Sequence, residues 1–124
     1  MQLTEFLLHT LSEDERAACA AVADDQRGFR PDALSAAWDG YLRGAGGPEH
    51  LLAACEATRR IVAEHRLGDP LESGRPGCVR CDWDGTSRSW RNTGPCETLR
   101  LLALPYAGRV GYELEWQPRS LALA

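Results

Sequence analysis

The stretch Gly77-Cys78-Val79-Arg80-Cys81-Asp82-Trp83-Asp84-Gly85-Thr86-Ser87-Arg88-Ser89-Trp90 decides how the rest of the chain is read. Two residues between Cys78 and Cys81 let both sulfurs point into one turn, with backbone N–H groups close to the thiolates. That is the geometry of a zinc knuckle. Asp84-Gly85 is a turn signal between Cys81-Asp82-Trp83 and Thr86 to Trp90, so a short β-hairpin is expected directly after the knuckle. Pro70, Gly74, Pro76, Gly77 and Gly85 exclude a helix through this region.

Working outward, Cys96 follows Gly94-Pro95, which opens a helix carrying Leu99, Leu101, Leu102 and Leu104 up to Pro105. At a helix start the positive end of the dipole favours a thiolate. Upstream, Pro48 opens a helix expected to stop at Gly68. Leu51, Cys55, Thr58, Val62 and His65 recur at spacings of four, three, four and three, so His65 stands at the end of its inward stripe. The full pattern is His65, twelve residues, Cys78, two residues, Cys81, fourteen residues, Cys96. Three thiolates and one neutral imidazole complete a tetrahedral zinc, so His65, Cys78, Cys81 and Cys96 are the expected metal ligands. The order of knuckle, hairpin and helix start is treble-clef-like, departing from the usual form by drawing its fourth ligand from upstream.

Other readings of the same residues stand beside this one. A histidine at a helix C-terminus also simply suits the dipole. A redox C-x-x-C would place its first cysteine at a helix N-terminus after a strand, which Gly77 and Val79 do not provide. A Cys78–Cys81 disulfide needs an oxidising compartment, and the odd total of five cysteines fits thiols or metal ligands better. An iron–sulfur cluster would normally take a fourth cysteine, but Cys19 and Cys55 fall within helical apolar faces and read as small buried hydrophobes. A nucleoside-type deaminase needs an acid two residues after its histidine, and His65-Arg66-Leu67 has none.

The N-terminal part reads as helical. A first helix is expected from an N-cap at Thr4 to about Gln26, with Leu8, Leu11, Cys19 and Val22 on one side; Ser12 with Glu15 also fits a capping box, but no Gly or Pro interrupts the run. A short second helix is expected after Pro31, with Leu34, Trp38, Tyr41 and Leu42, followed by a Gly44–Gly47 loop. The tail after Pro105 is expected to be irregular, its Tyr106, Tyr112 and Trp116 packing back onto the helices. Glu13-Asp14-Glu15 reads as an exposed helix face, and Arg59-Arg60 as partners of Glu56 and Glu64. The fold class expected is mainly α: a single domain over residues 1–124, with a helical part at 1–47 and a zinc-stapled helix–knuckle–hairpin–helix part at 48–124.

Composition limits the function. A chain of 124 residues with 44% hydrophobic, 26% charged and 7% aromatic residues is an ordinary globular domain with a thin core, which a metal usefully supplements. The net charge of −4 argues against a general nucleic-acid coat. All fourteen basic residues are arginine, a mark of codon usage in a GC-rich genome. No apolar run approaches the length of a membrane span, and Met1 to Leu11 lack the features of a signal peptide, so a cytoplasmic location is expected. A closed four-ligand metal leaves no position for substrate, and no phosphate-binding loop, nucleophile elbow or H-E-x-x-H motif is present; the expectation is a structural zinc and no enzymatic activity.

The segments Cys96-Glu97-Thr98-Leu99-Arg100-Leu101-Leu102-Ala103-Leu104-Pro105-Tyr106-Ala107, the upstream C-x-x-C, Cys55 to Val62 with the following His65, and Glu5-Phe6-Leu7 with Glu13-Asp14-Glu15 resemble a family of small actinobacterial and actinophage proteins known as a domain of unknown function. The resemblance covers both ends and the C-terminal half, not Arg27 to Gly47. It supports the same metal tetrad residue by residue and conveys nothing about activity. The working function is therefore a zinc-stabilised binding or adaptor module with a protein partner. The alternative is a nucleic-acid-associated or phage regulatory protein: Arg75, Arg80, Arg88, Arg91 and Arg100 outnumber Asp82, Asp84 and Glu97 around the interleaved Trp83 and Trp90. In the plainer reading the tryptophans cover the knuckle and the arginines are solvated.

Overall fold

The structure, a computed structural model, describes residues 1–26 and 47–122. In chain order it contains α1 (Leu3–Gln26), α2 (Gly47–Glu64), β1 (Leu67–Gly68), β2 (Gly77–Cys78), β3 (Trp83–Asp84), β4 (Ser89–Trp90), α3 (Glu97–Ala103), two 3-10 turns (Leu104–Tyr106 and Leu114–Trp116) and α4 (Arg119–Ala122). The helix expected after Pro31 lies outside the described residues. By its contacts the chain divides into two compact units, Met1–Leu8 with Arg60–Ala124, and His9–Arg59; α1 and α2 each run through the boundary.

α1 is continuous, as the absence of Gly and Pro predicts, and starts at Leu3. The Gln2 N–H donates to Glu5 Oε2 at 3.1 Å, so Glu5 performs the backward reach of a capping-box acid and Gln2 takes the place expected for Thr4. The buried positions are Leu3, Phe6, Leu7, Thr10, Leu11 and Ala18. Cys19, expected inside, is exposed. Seven residues beyond Leu11 the helix returns to within about 20° of the same direction, which selects Ala18 and rotates Cys19 away.

In the first unit, Leu3, Phe6 and Leu7 of α1 pack with Val62, Cys78, Cys96, Leu99, Ala103 and Trp116. The tail does fold back: Trp116 and Tyr112 bracket Phe6 at ring-centroid distances of 5.2 and 5.9 Å and meet each other edge to face at 5.8 Å. Arg100 holds the tail by its backbone, donating from Nε to the Pro95 carbonyl at 3.0 Å and from Nη1 to the carbonyls of Glu115 and Gln117. Glu97 accepts the Arg119 backbone N–H at 2.9 Å, which lets α4 begin against the first turn of α3.

Among the described residues of the second unit, Leu11, Ala18 and Cys55 are the buried hydrophobic ones. Arg59 leaves its own helix to reach α1, with Nε 2.7 Å from Glu15 Oε1 and Nη2 2.8 Å from Ser12 Oγ. The fit is bidentate: Glu15 presents both oxygens to the planar fork.

α2 ends at Glu64, four residues short of the expected stop at Gly68. The His65 N–H is shared between the carbonyls of Ile61 and Val62, a tightened last turn, and the chain then extends. Gly68 serves β1 instead of a helix cap: a Cβ there would lie 2.6 Å from Val79 Cγ1. The helix stops because Leu67 and Gly68 pair antiparallel with Cys78 and Gly77.

A candidate metal centre

The site is assembled by two hairpins and a crossing strand of backbone. His65 stands at the end of α2, and the β1–β2 pairing turns the chain back so that Cys78 comes opposite Leu67. The intervening loop is organised by Asp69, whose Oδ1 accepts the Ser73 N–H and hydroxyl, both at 2.9 Å, and whose Oδ2 accepts the Gly74 N–H at 2.8 Å. These bonds hold the Asp69 carboxyl below the usual range, the Ser73 backbone N–H contributing most.

After Cys78 the chain makes a turn in which the Asp82 N–H donates to the Cys78 carbonyl at 3.0 Å and the Cys81 N–H donates to Cys78 Sγ at 3.4 Å. This is the N–H-to-sulfur arrangement expected of a knuckle. β3 and β4 then pair, Trp83 opposite Trp90 and Asp84 opposite Ser89. The turn between them differs from a two-residue Asp-Gly turn: Gly85 to Arg88 all lie in it, and Asp84 closes it by accepting the N–H groups of Thr86 and Ser87 and the Ser87 hydroxyl.

Cys96 arrives by backbone pairing. Gly94 lies beside Gly77 in a parallel bridge, and its N–H donates to the Pro76 carbonyl at 2.7 Å. Two residues on, Cys96 is the N-cap of α3, with φ −74 and ψ 167, rather than part of its first turn. Gly77 itself admits no side chain: a Cβ would stand 2.6 Å from Trp90 Cε3 and 2.9 Å from the Asn92 carbonyl oxygen. Trp90 therefore lies across the strand that carries Cys78, and Trp83 meets it at 5.0 Å.

His65, Cys78, Cys81 and Cys96 come together, with one ligand atom from each lying within 4.8 Å of all the others. His65 Nδ1 is 3.5 Å from Cys78 Sγ, 3.3 Å from Cys81 Sγ and 3.6 Å from Cys96 Sγ. One ring nitrogen has either one proton or one lone pair, so it can bond to a single sulfur at a time. A cation at the centre could bond to this nitrogen and to all three sulfurs at once. The distances fit that arrangement. Zinc with about 2.3 Å to sulfur and about 2.05 Å to nitrogen requires a tetrahedral N-to-S edge of about 3.6 Å. The donor set, soft sulfur with imidazole, suits zinc among common divalent ions. All five cysteines are unbridged, so no disulfide competes for these sulfurs.

Without a cation the Cys96 and Cys81 thiols resist ionisation. Burial, with the neighbouring sulfurs adding to it, pushes the Cys96 thiol up to about 12 against the opposing Leu99 N–H. Burial and then Cys78 raise Cys81 in the same way. Cys78 and Cys96 have no solvent exposure, whereas Cys81 and His65 are half-buried.

The four expected ligands are thus the four that meet. The residues that position them were less visible in the sequence: Asp69 and Gly94 carry no metal-site signature, and Gly68 signals a helix stop as readily as a close approach. Of the arginines around the hairpin, Arg80 pairs with Glu64 of α2 at 3.6 Å, both well exposed. No helix among the described residues is long and apolar enough to cross a membrane.

Residues 1–118 match the model of a family described as a family of unknown function, DUF6221, and the chain belongs to that family. The match runs through residues 27–47, which the resemblance read from the sequence did not cover. No curated protein and no solved structure matches the chain.

Proposed function

For a member of this family, we propose a zinc-stabilised binding or adaptor module in which the metal is structural, held by His65, Cys78, Cys81 and Cys96. The observation that carries the reading is the convergence of one imidazole nitrogen and three sulfurs at the edge lengths of a zinc tetrahedron. Four protein donors fill the coordination sphere, so no position is left for water or substrate, and the module acts by binding rather than by catalysis. The elements around the site give the metal its purpose. β1, β2, β3 and β4 are each two residues long, too short to be stable alone, and a central cation ties them to α2 and α3.

A protein is the proposed partner. Leu101 and Leu104, one turn apart at the end of α3, are exposed, as are Val110 and Leu114 in the following segment. Apolar side chains left outside by a small domain suit a protein surface. Trp83 and Trp90, by contrast, are packed on each other and across Gly77, which leaves less of their faces for stacking on nucleic-acid bases.

Elemental analysis of the purified protein and of His65→Ala tests the reading. One zinc per wild-type chain, with the variant losing most of it, is the expected result. Wild-type protein that contains no zinc and takes up none on addition would sink it.

A further inference from the structure

We infer that Cys81 is a modification site: it is the sulfur through which peroxide-class oxidants open the metal centre, by forming a Cys78–Cys81 disulfide. The inference rests on the metal-centre reading above and concerns how that centre is regulated.

The three sulfurs are not equivalent. Cys78 and Cys96 are fully buried, while Cys81 is the one cysteine of the site that is only half-buried. Displacement at a peroxide oxygen needs an unobstructed approach to the sulfur, so accessibility selects the first site of attack. A hydrogen bond acts in the same direction. The Cys81 N–H donates to Cys78 Sγ at 3.4 Å, which draws charge from that sulfur and lowers its nucleophilicity. The resolving thiol is also in place. Cys78 and Cys81 share one turn with two residues between them, and their sulfurs lie within 4.8 Å. Cys96 Sγ lies within the same 4.8 Å but on a separate length of chain, with fourteen residues between it and Cys81.

The Cys81 thiolate attacks one peroxide oxygen, the O–O bond breaks, and Cys81 sulfenic acid and hydroxide result. The Cys78 thiolate then attacks the Cys81 sulfur, the S–O bond breaks, and a second hydroxide leaves. Two thiolates are oxidised to one disulfide, and one hydrogen peroxide is reduced by two electrons to two hydroxides, which take up protons to become water. His65 and Cys96 alone then remain as donors, too few for a tetrahedral zinc, and the metal departs.

Cys19 is an exposed thiol on α1 and reacts on its own account, so the experiment uses Cys19→Ser protein. Zinc is first quantified by elemental analysis. The loaded protein is then treated with hydrogen peroxide while released zinc is followed with a metallochromic dye, and the cysteines are mapped by mass spectrometry. The expected result is one zinc released per disulfide formed, a Cys78–Cys81 linkage, and Cys96 still open to alkylation. Cys81→His, which keeps a fourth donor, should release zinc at least about tenfold more slowly. If that variant fails to hold zinc, limited alkylation of the loaded Cys19→Ser protein decides: Cys81 should be labelled before Cys78 and Cys96. A linkage through Cys96, first labelling at Cys78 or Cys96, or full zinc retention under peroxide overturns the inference while leaving the metal centre standing. Absence of zinc before peroxide is added overturns the metal-centre reading, and this inference with it.

Discussion

The unit that carries the four sulfur and nitrogen donors and the unit His9–Arg59 reach order by opposite means. Among the described residues of the second, two helical segments supply their own backbone hydrogen bonds, and tertiary structure adds Leu11, Ala18, Cys55 and the Arg59–Glu15 pair. In the first, the backbone between α2 and α3 runs through two-residue strands and side-chain-closed turns. Such segments have little cooperativity of their own, and the proposed metal, fixing four distant points, would replace the missing regular structure. The contrast teaches that the cost of irregular backbone is concentrated where one bound ion can offset it.

The largest effect should come from removing the metal. Structural zinc contributes on the order of 10 kcal/mol in finger peptides, so a strong chelator or Cys96→Ser should remove the amide-exchange protection of residues 66–96. Amides of α1 between His9 and Ala23 should change far less. Equal loss in both units, or no loss in either, would break the contrast.

Proton linkage sharpens it. Each buried thiol must lose a proton to bind metal, so affinity should fall by up to about a thousandfold per pH unit as pH drops below neutrality, three protons being displaced. Cys96 adds to this demand: burial raises its thiol to about 12, so releasing its proton takes more of the binding free energy. Competition titrations at pH 6 and 8 measure the slope.

Smaller effects separate packing from ligation. Gly77→Ala places a methyl against Trp90 and the Asn92 carbonyl oxygen; a loss of about 1–3 kcal/mol in urea denaturation is expected, with zinc stoichiometry retained. Arg59→Ala removes the partly exposed link to Glu15 and Ser12 in the other unit. Its expected cost is about 1 kcal/mol or less, with no change in metal affinity.

Much of this contrast could be read directly from the sequence. The uninterrupted run from Leu3 to Gln26 announced a helix, and the period of Leu51, Cys55, Thr58, Val62 and His65 placed the histidine on the inward side. Where the reading failed, a local signal had two tertiary meanings. Gly68 fits a helix stop, but the approach of Val79 makes it a strand residue. Cys19 fits an apolar stripe, but the direction of that stripe is set by Leu3, Leu7 and Leu11, and it passes through Ala18 instead. Asp84-Gly85 marked a turn correctly, and the carboxylate of Asp84 then extended it to four residues by capping two backbone N–H groups.

The sequence by itself determined the donor types and their spacing, because ligand chemistry is a property of side chains and a two-residue gap between cysteines constrains both sulfurs locally. It also determined the two long helices, whose hydrogen bonds lie within a few residues of each other along the chain. Only the tertiary structure decided that the four donors meet, since that depends on pairings between distant residues: Leu67 with Cys78, Gly94 with Gly77. It also decided how deeply each cysteine lies. The half-buried Cys81 and the fully buried Cys78 and Cys96 differ by what packs around them, and no spacing rule encodes that.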